Sequence, residues 1–305
     1  MLRLSLLASL SLLAACSTAR ADSTIPEPQV AQWIVETVAQ TRSNALSAED
    51  VVALKSVGDV ELSPDGKWVA YTVRHPRPLS EPGGSRNVIY VGPADGKTKG
   101  RAFTSPDHSS WSPRWSPDGK QLAFSSVRGG AGVQVYVMDF EGGEARRLFE
   151  SESSVRQYAW SPDGKSVAYS TSRKTEHEAA EHEAGRDWVL DEGGGTKTRL
   201  FTVDLASGEE KEVVTSGEHV INFVWSPDSQ RFAVRASEKA TTDFTMMYSS
   251  LYTVPASGGK LEPLAKTAGK LGHIAWSPDG SQIAWFGASD LSDPTAGVLH
   301  VAPAS

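Results

Sequence analysis

Three observations predict an all-β chain folded as a β-propeller of four-stranded blades. The first is a phrase, Trp-Ser-Pro-Asp-Gly-Lys with small edits, that returns at Ser63, Ser116, Ser161, Ser226 and Ser277. Its copies lie ~45–65 residues apart, a period that marks a propeller built from repeated hairpins. The second is the bulky-small-bulky alternation after each copy: Val69-Ala70-Tyr71, Leu122-Ala123-Phe124, Val167-Ala168-Tyr169, Phe232-Ala233-Val234 and Ile283-Ala284-Trp285. Such a period of two is that of a half-buried strand on which a second sheet packs closely. The third is a further strand-like run in every unit, followed in the first four by a Gly-containing turn and a fourth short strand.

The phrase itself has a physical reason. Pro presets φ at the second position of a tight turn, Asp accepts local backbone hydrogen bonds, and Gly takes the left-handed position that closes it. A short strand ending in Trp precedes the turn, as in Ile221-Asn222-Phe223-Val224-Trp225. Each phrase is therefore the corner of a hairpin, with its Trp placed for packing between blades. The Asp recurs because the turn needs it, so catalysis is a poor explanation for Asp118, Asp163 or Asp279.

The elements follow in order. Residues 1–21 read as an export signal: Arg3 supplies the positive start, and Leu4 to Ala15 is an apolar run too short to span a bilayer. Two processing readings stand side by side. Leu13-Ala14-Ala15-Cys16 resembles a bacterial lipoprotein box that would lipidate Cys16, and Ala19-Arg20-Ala21 resembles an ordinary signal-peptidase site. Cys16 is the single cysteine, so the exported protein has no disulfide and its stability must come from packing. Residues 22–57 form a linker with short helices, one over Gln29–Thr41 and one starting at Ser47-Ala48-Glu49-Asp50, a Ser-x-x-acid helix start.

The propeller is expected over 58–305, with blades at 58–106, 107–152, 153–217, 218–267 and 268–305. Third strands are expected at Val88–Val91, Val133–Val137, Arg199–Val203, Leu251–Val254 and Val298–Val301. The fifth blade lacks a fourth strand. That would leave an open sheet edge, so the chain is expected to be a fragment of a longer protein. The competing reading is a five-blade ring whose last strand comes from the N-terminal segment. Blade three carries an insertion between Ser172 and Thr198, a long loop of the kind that lines functional surfaces.

The net charge of −7 argues against nucleic acid as the main partner, since phosphate binding wants a basic face. No catalytic, cofactor-binding or metal residue is expected. The His177 and His182 pair is spaced one residue too far for the His-Glu-x-x-His of a zinc peptidase, and the stretch reads as a solvated acidic insertion. Gly83-Gly84-Ser85-Arg86-Asn87 lacks the second glycine of a Gly-x-Ser-x-Gly nucleophile turn. His75, His108, His219, His273 and His300 show no Ser or Asp partner at an interpretable spacing and read as surface or packing residues.

Leu46-Ser47-Ala48-Glu49-Asp50, Leu54-Lys55-Ser56-Val57-Gly58-Asp59 and Leu62 through Tyr71 together resemble the start of exported bacterial peptidases of the prolyl oligopeptidase family. Tyr136-Val137-Met138-Asp139 with Gly142-Gly143 and Arg146-Arg147-Leu148 is similar to their blades. The resemblance covers about residues 45–305, and TolB-like envelope propellers share the turn phrase. It implies a propeller of seven or eight blades capping a C-terminal α/β-hydrolase domain that carries the catalytic Ser, Asp and His. None of those three is present here to carry over. The acidic pairs Glu209-Glu210 and Glu49-Asp50 stand in a hairpin turn and a helix start, unlike the acidic pair that holds a substrate amine in that family. The implied function is a propeller that gates peptide or acyl-peptide substrates in an exported serine peptidase. The chain alone is then inactive and the hydrolase domain is its partner. A TolB-like envelope binding propeller with no enzyme attached is the second reading. Both place the protein in the periplasm or on the envelope, meeting the membrane only through a lipid on Cys16.

Overall fold

A computed structural model describes residues 48–77, 83–130, 132–173, 183–185, 196–265, 267, 269–291 and 297–304. A short helix, α1 (Ala48–Val52), precedes the first strand; the expected helix over Gln29–Thr41 and Cys16 lie outside the described residues. Five antiparallel meanders follow. The first holds β1 (Ser56–Leu62), β2 (Trp68–His75), β3 (Arg86–Pro93) and β4 (Arg101–Ala102). The second holds β5 (Ser110–Trp115), β6 (Gln121–Ser126), β7 (Gln134–Asp139) and β8 (Arg146–Arg147). The third holds β9 (Val155–Trp160), β10 (Ser166–Ser172), β11 (Thr198–Asp204) and β12 (Glu210–Glu212). The fourth holds β13 (His219–Trp225), β14 (Arg231–Ser237), β15 (Ser250–Pro255) and β16 (Glu262–Ala265), with a helix α2 (Thr242–Met247) between β14 and β15. The fifth holds β17 (Leu271–Trp276), β18 (Gln282–Gly287) and β19 (Val298–Pro303) and has three strands.

The fold is the all-β propeller that the repeat predicts. The outermost strands are short, two residues in the first and second blades, three in the third and four in the fourth. Pairing in the second blade spans Arg146–Arg147 and continues only as one bond, Leu148 N–H to Val135 C=O at 3.0 Å. An outermost strand has a neighbour on one side alone, so little holds it straight.

The bulky-small-bulky alternation explains how blades seat on one another. Successive residues of a strand point to opposite faces. Leu122 and Phe124 of β6 lie in the core shared with the first blade, whereas Ala123 lies in the core shared with the third. The same division holds for Val167 and Tyr169 against Ala168, and for Phe232 and Val234 against Ala233. Each blade thus presents bulk to the blade before it and a shallow socket to the blade after it. Four interblade cores result, one per junction.

Among the described residues the terminal blades each have a neighbouring blade on one side only. Val60 and Leu62 of β1 pair across the sheet with Tyr71 and Val69, so all four share the bulky face. Val60 is 62% exposed there. On the fifth blade Ala284 pairs with Val301 and Phe286 with Leu299, which puts all four on the socket face, where Leu299 is 60% exposed.

Candidate functional site

Sequence places one tight turn between the first and second strand of every blade, and its geometry repeats closely. The Ser hydroxyl donates to the Asp carboxylate at 2.5–2.6 Å in all five copies. It also accepts the N–H five residues on, at 2.9–3.0 Å, from Trp68, Gln121, Ser166, Arg231 and Gln282. The left-handed position is Gly at φ near +70° in four copies and Ser229 at φ +60° in the fourth blade. These hydrogen bonds to its charged form hold each Asp below the ordinary carboxylate range, and Asp279 is drawn down to about 2.

Adjacent turns stack. A Cβ added to Gly119 would lie 3.7 Å from Pro64, one on Gly164 the same distance from Pro117, and one on Gly280 the same distance from Pro227. The Ser229 hydroxyl accepts the Asp163 N–H at 3.1 Å. All five blades therefore run in the same sense, with their turns on one rim. A cavity of about 330 Å³ opens there between the second and third blades, lined in part by Asp118, Arg146, Trp160 and Asp163.

The tryptophans of the phrase do more than pack. The indole N–H of Trp160 donates to Arg114 C=O at 3.3 Å, that of Trp225 to Ala159 C=O at 3.3 Å, and that of Trp276 to Val224 C=O at 3.2 Å. In each case the acceptor is the residue before the preceding blade's Trp. Trp115 is the exception: its buried indole N–H has no partner among the described residues, and its ring packs edge-on to Phe140 at 5.1 Å.

Three residues before the position of each Trp stand Asp59, Ser112, Gln157, Asn222 and His273, one polar side chain on the innermost strand of every blade. All five innermost strands carry a β-bulge in this stretch. Asp59 (φ +44°) and Ser112 (φ +50°) adopt left-handed backbone, strain that recurs at working sites. Neighbouring blades are cross-linked here from the first to the fourth. Ser112 N–H donates to Asp59 Oδ2 at 3.3 Å, Tyr158 O–H to Ser112 C=O at 2.6 Å, and Gln157 Nε2 to Phe223 C=O at 3.0 Å. Beside these links Arg114 pairs with Glu61 at 3.4 Å. Burial pushes the Glu61 carboxyl up, with Arg114 pulling it the other way, and burial raises the Tyr158 hydroxyl well above its ordinary range. These five positions carry a carboxylate, a hydroxyl, two carboxamides and an imidazole. Sequence reasoning missed them because the five residue types differ; only their common offset from the Trp gives them away.

The opposite rim carries the connections between second and third strands. Arginines brace three of them. Arg128 lies over Phe124 and Tyr136 at 5.2 and 5.1 Å. Arg173 lies over Phe201 at 4.3 Å and donates to Glu210 Oε1 at 2.9 Å, while Tyr169 O–H donates to Glu210 Oε2. Arg235 donates to three neutral oxygens: Ser249 Oγ at 2.9 Å, Thr245 C=O at 2.6 Å and Leu271 C=O at 2.6 Å.

The residues singled out from sequence fare as follows. His219 is buried, its Nδ1 accepts the Thr198 N–H at 3.0 Å, and burial lowers its pKa. His75 stacks on Tyr90 and His300 on Trp285, at 5.9 and 5.4 Å. His177 and His182 lie outside the described residues. Glu210 opens β12 and serves Tyr169 and Arg173, an engagement its sequence context did not reveal. Among the described residues no group of His, Cys, Asp and Glu is placed to hold a metal, and no helix is long and apolar enough to cross a membrane.

Comparison with known proteins bears on the same elements. The family model for the TolB β-propeller domain matches residues 56–193. An uncharacterized peptidase, YuxL, of Bacillus subtilis (strain 168) is 32% identical over 214 residues, which cover 65% of this chain and 32% of the relative. Dipeptidyl-peptidase 5 of Porphyromonas endodontalis is 24% identical over 277 residues, covering 80% of this chain and 39% of the relative. The chain thus spans about a third of the length of these curated relatives. Among solved structures, a TolB-type protein from Agrobacterium tumefaciens superposes with a TM-score of 0.57 at 17% identity, over 81% of this chain and 80% of its own, a likeness of fold.

Proposed function

We propose, on the premise that this chain is a TolB-type propeller homologous to the N-terminal propellers of peptidases, that it selects and admits substrates for an exported serine peptidase of peptides or acyl-peptides. The observation that carries this reading is the 32% identity with a peptidase about three times as long as the matched stretch. In this reading the nucleophile, base and acid belong to an α/β-hydrolase domain on further chain, and the propeller limits access by size to the cavity between them. The polar ring of Asp59, Ser112, Gln157, Asn222 and His273 would meet the backbone of a peptide on its way through. Export follows from the N-terminal signal, with Cys16 lipidated or the signal cut after Ala21.

The test begins with the gene. Its complete product is expected to hydrolyse dipeptidyl or acylaminoacyl chromogenic substrates, to lose that activity to a serine-directed inhibitor, and to reject folded proteins. The 305-residue chain alone is expected to be inert. A complete product without inhibitor-sensitive hydrolysis overturns the reading. The fold likeness to a TolB-type protein favours a second one, an envelope protein-binding propeller, which gains if the gene encodes no further domain.

A further inference from the structure

We propose that the cavity between the second and third blades binds a small carboxylate with an apolar body about one residue in size, and that Arg146 is its anion partner. This chemistry is shared by the end of a peptide chain and a free N-acylated amino acid. The site lies wholly within the described blades, so it stands whether or not the gating reading holds. Three observations carry it.

The first is that two side chains which fill the matching place one junction earlier are smaller here. Between the first and second blades, Phe140 packs edge-on to Trp68 and to Trp115, both ring centroids 5.1 Å away. Leu205 holds the place of Phe140 in the third blade: Phe140 N–H donates to Lys120 C=O at 2.8 Å, and Leu205 N–H to Lys165 C=O at 2.9 Å. Gln121 stands five residues after Ser116, as Trp68 stands five after Ser63. Leu and Gln thus replace Phe and Trp, and an opening of about 330 Å³ lies where the earlier junction holds rings. That is the lower end of the ~300–1,000 Å³ of ligand pockets, room for a group of about one residue.

The second is an unpartnered cation at the cavity wall. Arg101 and Arg146 hold equivalent places, opposite Val91 and Val137. The Arg101 guanidinium donates to Phe140 C=O at 3.3 Å. Arg146 lines the cavity and has no hydrogen-bond or ion-pair partner among the described residues. The two carboxylates that also line it are engaged. Asp118 and Asp163 each accept the Ser hydroxyl and a backbone N–H of their own turn. Each also has an exposed lysine, Lys120 at 3.7 Å and Lys165 at 4.0 Å. Two carboxylates against two lysines and one arginine leave a positive charge over, so the site calls for an anion. A guanidinium meets a carboxylate through two parallel hydrogen bonds.

The third is the apolar lining. Leu148, Leu205 and Trp160, each half-buried, line the same cavity. The Trp160 indole N–H is committed to Arg114 C=O at 3.3 Å, so the ring is already held in place. A ring fixed beforehand lowers the ordering cost of contact. Arg146 at one end of the ligand, and Trp160 with the two leucines along its body, define a carboxylate joined to hydrocarbon.

Calorimetric titration of N-acetyl-L-phenylalanine into the 305-residue chain tests the site. A Kd of about 1 mM or tighter is expected, ordinary for a ligand of this size. The amide of the same compound, which lacks the charge, is expected to bind roughly ten-fold more weakly or worse. Arg146→Gln, a change at an exposed position, is expected to weaken the acid by that factor and leave the amide unchanged. Leu205→Phe restores the ring of the earlier junction and is expected to abolish binding while raising the melting temperature. A pentapeptide ending in phenylalanine separates the two sources: tighter binding than the single acid assigns the site to chain ends, and weaker binding assigns it to free acids. No saturable binding of either carboxylate, equal binding of acid and amide, or binding that survives both Arg146→Gln and Leu205→Phe overturns the proposal. The gating reading stands under any of these results.

Discussion

Tryptophan in the repeated phrase serves two separable purposes, filling the interblade core and bonding the preceding blade's backbone. Trp225→Phe keeps most of the ring and loses the indole N–H to Ala159, leaving that carbonyl short of a donor. A hydrogen bond of this kind contributes roughly 0.5–1.5 kcal/mol net, so urea unfolding is expected to show a loss of about 1 kcal/mol or somewhat more, lost packing included. Trp115→Phe removes a buried donor that has no partner among the described residues. Its hydrogen-bond contribution is nil and the desolvation penalty is relieved, so the substitution is expected to cost clearly less than Trp225→Phe. Equal losses for the two would mean that the indole bond contributes nothing. The packing role of the Trp was legible from its place before the turn. Its hydrogen bond was not, because the acceptor is a backbone carbonyl some 46–66 residues away that the next blade's seating alone brings near.

At the level of the element, the turn is a small closed circuit of Ser, Asp and backbone, and it responds to acid. The folded pKa of each turn Asp lies below its ordinary value of 3.8. A lowered carboxylate contributes stability that is fully present above the unfolded value and is lost as pH falls through the folded one. Melting temperature is therefore expected to fall between pH 4 and about pH 2, the lower bound set by Asp279, and Asp279→Asn to flatten part of that fall. Ser161→Ala probes the other half. Its hydroxyl is buried, holds Asp163 and accepts the Ser166 N–H, so its loss is expected to cost about 1–3 kcal/mol in urea unfolding. Strands, turns and their alternation were readable because period and turn chemistry are local. The bulges that aim Ser112 and Asn222 were not, since a bulge is a mismatch between two strands and leaves no mark in either one. The candidate site shared that fate: its ring of polar residues is defined by position across five blades and by no common residue type.

For the whole molecule, the terminal blades decide behaviour in solution. The bulky face of β1 and β2 and the socket face of β18 and β19 are each built like half of an interblade junction, and among the described residues both lie open. The 305-residue chain is expected to associate with rising concentration in sedimentation velocity, and Val60→Lys or Leu299→Lys to stop this chain growth singly. Mixing the two variants is expected to give a species of two chains and nothing larger, because each variant keeps one usable face. Two-chain species formed by either variant alone would refute the pairing of these faces. The two faces differ in kind, so association carries a polarity. Every copy adds in the same sense, as bricks on a stair, and no two-fold axis can relate a pair. Such contacts close into a ring only if the rotation per step permits it, and otherwise run on as a fibre.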